Sequence, residues 1–237
     1  MSYDVTDVGN ACVRTLSKLD YSSNNVANVN TPGFKAEYLN YSVEKSSPTT
    51  SDKVPSYAQS LFTDYSQGTL QRTDNSLDFA IQGEGFFVLQ SDNGIAYTRK
   101  GDFTLNEKSE LVTKSGDYVL GKSGKIILDG KDIHVDQSGS IQVDGNQVDS
   151  LKIVSFENPE VLIHKGEGVF KDNGNGVVKK DFTPNVLNES LEASNVSAIK
   201  EMIQMIDIQR TFETYQKLIH TISDQDKLST GRIGKLV

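Results

Sequence analysis

LEASNVSAIKEMIQMIDIQRTFETYQKLIHTISDQDKLS, residues 191–229, contains no glycine or proline, and the first of either to follow it is Gly231. Met205, Ile208, Phe212, Tyr215, Ile219 and Ile222 recur at alternating spacings of three and four. That period lines them along one side of an α-helix, at the interval of a coiled-coil seam. A second row, Ile199, Ile203 and Ile206, widens the stripe, while Lys200, Glu201, Asp207, Glu213 and Lys217 keep the opposite side wet. Ser194 or Asn195 is placed to cap the start, and Gly231 stands where the helix is expected to stop. Within its own segment this apolar side has nothing to bury it.

The partner expected for it lies at the other end of the chain. Val5, Val8, Cys12, Leu16, Leu19 and Val26 repeat at helical spacing through a proline-free segment. Gly9 and several β-branched residues make this the weaker helix former. The first helix then runs into Asn24, Asn25, Asn28 and Asn30, followed by Thr31-Pro32-Gly33-Phe34-Lys35. Pro then Gly suits the two central positions of a type II turn, and asparagine tolerates helix ends. The run reads either as a helix terminus and turn, or as amides offered to neighbouring backbones in an assembly.

Between the helices the period changes. From Leu77 to about Lys180, short runs such as LDFAIQ, FFVLQ, IAYTR, KIIL, IQV and LKIVSF alternate with turn signals that include Asp92-Asn93-Gly94, Asp129-Gly130 and Asp144-Gly145. Strands at this spacing, with no helix-length segment between them, predict an antiparallel all-β domain. Residues 36–75 are polar, and SSPTTSDKVP (46–55) has the composition of an extended or mobile connector. The expected organisation is α+β. It comprises an N-terminal helix and Asn-rich segment (1–35), a connector (36–75), a β-domain (76–188) and a C-terminal helix (189–237). The two helices would form a discontinuous coiled-coil-like domain.

The formal charge is −8, which argues against a nucleic-acid or anionic-membrane surface. Residues 1–40 carry three basic and four acidic groups and residues 189–237 six and seven, so each end is −1 and the middle holds the rest. Near-neutral ends suit dense packing with copies of the same chain. Cys12, the one cysteine, excludes an internal disulfide and reads as a small core residue. No segment has the pattern of a cleaved signal or a membrane span. His134, His164 and His220 lack metal-ligand spacing. Gly83-Glu84-Gly85-Phe86-Phe87-Val88 begins like a dinucleotide fingerprint but has Val where the third Gly belongs and runs into a strand, so it reads as a tight turn. Asp172–Gly176 likewise reads as a turn, since Gly174 replaces a calcium-ligand position. Nothing here argues for catalysis, and no cofactor is expected.

Four motifs, in order, carry a resemblance. Asn24–Lys35 (NNVANVNTPGFK) resembles the N-terminal signature of the bacterial flagellar rod and hook protein family. Leu77–Phe87 (LDFAIQGEGFF) and Ala96–Phe103 (AYTRKGDF) are similar to the opening of that family's β-domain. Leu191–Val196 (LEASNV), Glu201–Ile203 (EMI) and Gln209–Glu213 (QRTFE) resemble its C-terminal signature, with Phe212 a mild departure. The resemblance implies a structural axial subunit rather than an enzyme. Such a subunit is exported by the flagellar type III apparatus without a cleaved signal and stacks in the periplasmic space with copies of itself and other rod proteins. It implies an assembly motif at Asn24, Asn25, Ala27, Asn28, Asn30, Thr31, Pro32, Gly33, Phe34 and Lys35. It also implies helix-packing positions at Val8, Cys12, Leu16, Leu19, Leu191, Asn195, Val196, Met202, Ile206, Gln209, Arg210, Phe212 and Ile219. Length and a single modest β-domain favour a rod over a hook protein. Lys179–Leu187, standing where distal-rod members are glycine-rich, and the tail after the signature favour a proximal-rod member. Other classes are a wall-acting enzyme with its site on the β-domain, and a free coiled-coil dimer.

Overall fold

The proline-free segments at the two ends form the only long helices among the described residues, α1 (Val5–Ala27) and α2 (Ala198–Ile233). This is a computed structural model that describes residues 5–44, 56–130 and 132–233. Its contacts group into two units. One takes α1, residues 37–62 and α2; the other takes residues 28–36 and 63–196.

In the first unit the helices are antiparallel. Ser22, near the end of α1, donates its hydroxyl to Glu201 Oε2 in the first turn of α2 at 2.7 Å. Ala11 and Thr15 line one cavity with Ile208 and Thr211. Val8, Cys12 and Thr15 of α1 and Ile208 of α2 are buried, and Leu19, Met205, Phe212, Tyr215, Ile219 and Ile222 are half-buried. α1 has 23 residues against 36 in α2. At about 1.5 Å per residue, roughly 20 Å of α2 extends past the length its partner can cover.

Three expectations about the helices are corrected. The second row faces out, with Ile199 at 75 %, Ile203 at 56 % and Ile206 at 48 % exposure. A period fixes which residues share a face, whereas one facing helix covers only the narrower stripe. α2 begins at Ala198, after Ser197, whose carbonyl accepts the Glu201 N–H at 3.0 Å; neither Ser194 nor Asn195 starts it. At the far end α2 continues through Gly231, because a single glycine costs a helix only about 1 kcal/mol.

Two strands not assigned from sequence also belong to this unit. β1 (Glu37–Glu44) and β2 (Ser56–Thr63) pair as a two-stranded ribbon, and β1 packs on α1. β1 carries a period of two, Leu39, Tyr41 and Val43 alternating with Asn40, Ser42 and Glu44, that the sequence reading passed over, whereas β2 (SYAQSLFT) carries none; Leu39 is buried and Leu61 and Phe62 are exposed. The SSPTTSDKVP stretch lies outside the described residues.

The second unit is the β-domain. After β3 (Leu70–Arg72) and β4 (Phe79–Ile81) come β5 (Phe86–Ser91) and β6 (Gly94–Thr98), the centre of an eight-stranded antiparallel sheet. Beyond β6 lie Val169–Asp172 and Leu162–His164; beyond β5 lie Tyr118–Val119, Leu111–Val112 and Thr104–Leu105, and Ile153–Val154 also pairs with β5. Ile133–Val135, Ser140–Val143 and Asn146–Ser150 form a three-stranded sheet. Two of the quoted turn signals join paired strands, and the first, Asp92-Asn93-Gly94, turns the chain from β5 into β6. Asp144 and Gly145, with φ of 49° and 80°, join two strands of the three-stranded sheet in the left-handed conformation a two-residue hairpin requires. Phe79, Ile81, Phe87, Leu89, Phe103, Leu111, Ile126 and Ile141 fill the main core. Phe87 sits 5.2 Å from Phe103 in an edge-to-face contact. Replacing Phe87 by Ala removes a fully buried ring, and we expect the β-domain to lose about 3–5 kcal/mol in urea titration.

Candidate functional site

Residues 28–36 reverse the chain before it enters β1. Asn28 accepts the Thr31 amide at 3.1 Å and, through Oδ1, the Thr31 hydroxyl at 3.1 Å; the Phe34 N–H bonds the Thr31 carbonyl at 3.3 Å. Gly33, the second residue of the Pro-Gly pair, has φ of +66°. A Cβ there would stand 2.4 Å from the Arg99 carbonyl carbon, so both backbone conformation and space demand glycine. Its N–H donates to the Glu192 carbonyl at 2.7 Å.

The next side chain carries the site. Lys35 is buried, and its Nζ lies 2.6 Å from Glu192 Oε1, with both side chains at 0 % exposure. The same ammonium donates to the Ser66 carbonyl at 2.7 Å, and Glu192 Oε1 also accepts the Gly68 N–H at 2.9 Å. Glu192 Oε2 lies 3.6 Å from Arg99 Nη1, an ionic contact rather than a hydrogen bond. Arg99 also donates to the carbonyls of Ile81 and Gly83, and its guanidinium stacks over the Phe86 ring at 5.6 Å. Burial pushes the Lys35 ammonium below its ordinary value, and the Glu192 carboxylate beside it pulls back in part. Arg99 is lowered by burial in the same way, against Glu192 and Glu84. Two buried cations thus share one buried carboxylate; the Ser66, Ile81 and Gly83 carbonyls take up further donors, and Arg99 Nε and Glu192 Oε2 make no hydrogen bond among the described residues.

Asn195 completes the junction. Its Oδ1 accepts the Ala36 N–H at 2.8 Å and its Nδ2 donates to the Asp64 carbonyl at 2.8 Å. Three stretches at which the chain passes between the units (28–36, 63–66 and 193–196) are therefore tied together inside the second one. An amide that satisfies two separate backbones is unavailable to cap α2, which accounts for the later helix start.

The other sequence-derived positions divide. Asn25 is fully buried and matches the Glu37 backbone in both directions, Nδ2 to O at 2.9 Å and N to Oδ1 at 3.0 Å, so its amide bonds lie within the chain. Asn24, Ala27 and Asn30 are exposed, Thr31 and Pro32 half-buried, and Phe34 is buried with its ring edge-on to His164 at 6.1 Å. Among the expected helix-packing positions, Val8 and Cys12 are buried and Leu19, Phe212 and Ile219 half-buried; Leu191, in the strand Ser190–Glu192 paired with β3, and Asn195 and Val196, which precede α2, belong instead to the β-domain unit. Leu16, Met202, Ile206, Gln209 and Arg210 are exposed within this chain. Sequence reading missed roles for Arg99, Glu192 and Glu201. Glu201 is buried at 1 % exposure on the helix side expected to stay wet, accepting from Ser22 and from Tyr38 at 3.2 Å. Its partners lie 179 and 163 residues away, beyond any local pattern. Among the described residues, no three His, Cys, Asp or Glu side chains lie close enough to hold a metal ion.

Comparison with known proteins matches three family profiles along the chain. "Flagella basal body rod protein" covers residues 9–35, "Flagellar hook protein FlgE/F/G D1 domain" residues 80–146, and "Flagellar basal body rod FlgEFG protein C-terminal" residues 187–229. The chain is 35 % identical over 234 residues to the flagellar basal-body rod protein FlgG of Buchnera aphidicola subsp. Schizaphis graminum, covering 86 % of this chain and 88 % of that protein. It is 29 % identical over 227 residues to FlgF of Caulobacter vibrioides, covering 92 % and 93 %. To the FlgF of the same Buchnera it is 30 % identical, covering 92 % of each.

Removing one member of the buried ionic cluster leaves the others uncompensated. Glu192→Gln is expected to cost about 3–5 kcal/mol, whereas the double variant Lys35→Met/Glu192→Leu loses clearly less than the sum of its single changes. Urea unfolding followed by circular dichroism measures both. A Glu192→Gln protein as stable as the parent would deny the cluster its structural role.

Proposed function

Since the chain belongs to the flagellar basal-body rod protein family, we propose that it is an axial structural subunit of the bacterial flagellar rod, polymerising through its terminal helices to transmit torque. The observation that carries this reading is the apolar row left open on α2. Ile199, Met202, Ile203 and Ile206 are each about half to three-quarters exposed on the first two turns and beyond. Each contributes on the order of 1.5–3 kcal/mol if fully covered, and neighbouring rod subunits would cover them. In this reading α1 and α2 pair as a short antiparallel coiled coil, with further helices from the assembly completing it. Export by the flagellar type III apparatus without a cleaved signal, and residence in the periplasmic part of the basal body, belong to the same proposal. So do the connector-plus-two-domain organisation and the assembly role of the Asn24–Lys35 segment.

A proximal-rod position is favoured. Its support is the stretch Lys179–Leu187 without a glycine-rich run, and the 92 % coverage by FlgF relatives from two organisms. The 35 % identity to a FlgG favours the second reading, a distal-rod subunit. Deleting the gene and probing purified basal bodies separates them. A chain present in the parent's rod fraction, with deletion rods ending before the distal segment, fits the proximal reading. Deletion rods that reach further fit the distal one, and absence from basal bodies with normal swimming ends both.

The helix seam is shallow and partly polar. A surface groove of about 330 Å³ runs along α1, α2 and Tyr41 of β1, and Thr15, Ser22 and Glu201 put polar groups where apolar ones would bind more strongly. Both helices are therefore expected to exchange their amides rapidly in a dilute monomer and to become protected on assembly. Uniformly protected amides across 5–27 and 198–233 in the monomer would contradict this. Ile206→Asp should leave the β-domain folded by near-ultraviolet circular dichroism yet abolish incorporation into the rod, and a normally swimming mutant would remove the exposed row from the interface.

A further inference from the structure

The loop Asp172-Asn173-Gly174-Asn175-Gly176 reads as a turn in the sequence and takes no part in the ionic cluster or the helical surface. It leaves the sheet at the end of the strand Val169–Asp172 and returns the chain to Phe156. There Val178 pairs with Phe156, and the Glu157 N–H meets the Val177 carbonyl at 2.8 Å. This path requires both glycines. Gly174 has φ of +94°, in the left-handed region that residues with a Cβ disfavour. A Cβ on Gly176 would stand 2.8 Å from Phe156 Cε1 and 2.8 Å from Asp172 Oδ2.

The fold therefore puts glycine directly after Asn173 and again directly after Asn175, the pairing in which asparagine deamidates most readily. With no Cβ on the following residue, its backbone nitrogen approaches the asparagine side chain with little hindrance. Once that nitrogen has given up its proton it attacks Cγ. A new N–Cγ bond closes a succinimide, the Cγ–Nδ2 bond breaks, and the amide leaves as ammonia after taking up a proton. Water then opens the ring at either carbonyl and leaves an aspartate or an isoaspartate. Asn173 and Asn175 are both exposed, so water reaches them.

One carboxylate holds both nucleophiles. Asp172 Oδ1 accepts the Gly174 N–H at 2.9 Å and the Gly176 N–H at 2.9 Å. An N–H that donates to a carboxylate gives up its proton reluctantly, because the resulting anion would face the negative oxygen. The side chains are restrained as well. Asn173 Oδ1 accepts the Asn175 N–H at 3.1 Å. Asn158 donates to the Asn175 carbonyl at 3.1 Å and accepts the Val177 N–H at 2.9 Å.

We propose that Asn173 and Asn175 form a paired modification site on the β-domain, each able to turn its amide into a carboxylate through a succinimide, and that Asp172 keeps both closed in the folded chain. The site is independent of the helical assembly surface.

The full chain is incubated in mildly alkaline buffer, folded and in urea, and deamidation at each asparagine is followed by peptide mapping with mass spectrometry. Dividing each folded rate by the rate of the same chain in urea removes the influence of sequence neighbours. In the parent this ratio is expected to be low at both residues, and Asp172→Ala is expected to raise it about tenfold at each, the factor carried by one hydrogen bond to a charged group. Asp172→Asn, which keeps an acceptor oxygen without the charge, is expected to fall between the two. Near-ultraviolet circular dichroism shows which variants remain folded, and Asp172→Asn decides the matter if Asp172→Ala does not fold. A parent ratio near one at either residue, or a folded variant that keeps the parent ratios, would overturn the proposal.

Discussion

The buried pairing of Lys35 with Glu192, 157 residues apart in sequence and 2.6 Å apart in space, is the constraint on which the β-domain's connections depend. A single carboxylate oxygen takes the Lys35 ammonium and the Gly68 amide, and its carboxyl group also faces Arg99. Three segments that share no sequence neighbourhood are thereby held at one point. Charges removed this fully from water are tolerated only where geometry and further hydrogen bonds compensate. The Ser66, Ile81 and Gly83 carbonyls supply those bonds. Such a cluster is weak as a source of net stability and strong as a selector of one arrangement, because a misplaced segment leaves a buried charge unpaired.

The helical unit uses a milder form of the same device. Ser22 and Tyr38 bond the buried Glu201, and Asn25 matches the backbone of Glu37. These polar contacts fix the register of α1 against α2 and β1, while the apolar contribution to the seam stays small. An interface of this composition specifies a fit more than it drives one. It leaves a second apolar row of α2, around Ile203, exposed, which is the surface the proposed assembly would cover.

Much of the architecture was legible in the chain. The three-and-four spacing of Met205 to Ile222 identified the side of α2 that meets α1. The Pro32-Gly33 and Asp144-Gly145 pairs marked reversals whose positive φ values only glycine or a few polar residues accommodate. The ribbon of β1 and β2 was only half legible: Leu39, Tyr41 and Val43 alternate with polar residues along β1, a signal the polar composition of residues 36–75 masked, while β2 carries no period of two. The exposure of Ile199, Ile203 and Ile206 was not legible either, since amphipathicity says which residues lie together and not how wide a partner will be.

By itself, then, the sequence determined the local geometry of the helices, strands and turns, and through four ordered motifs the family. Those depend on dihedral preferences and on periods shorter than a dozen residues, all written within one stretch of chain. Only the tertiary structure decided that Lys35, Arg99 and Glu192 share one buried site, that Asn195 staples backbones instead of capping a helix, and that Glu201 is buried. Each of these is settled by contacts between residues tens to more than a hundred positions apart, whose free energies arise from burial and pairing that no local pattern encodes.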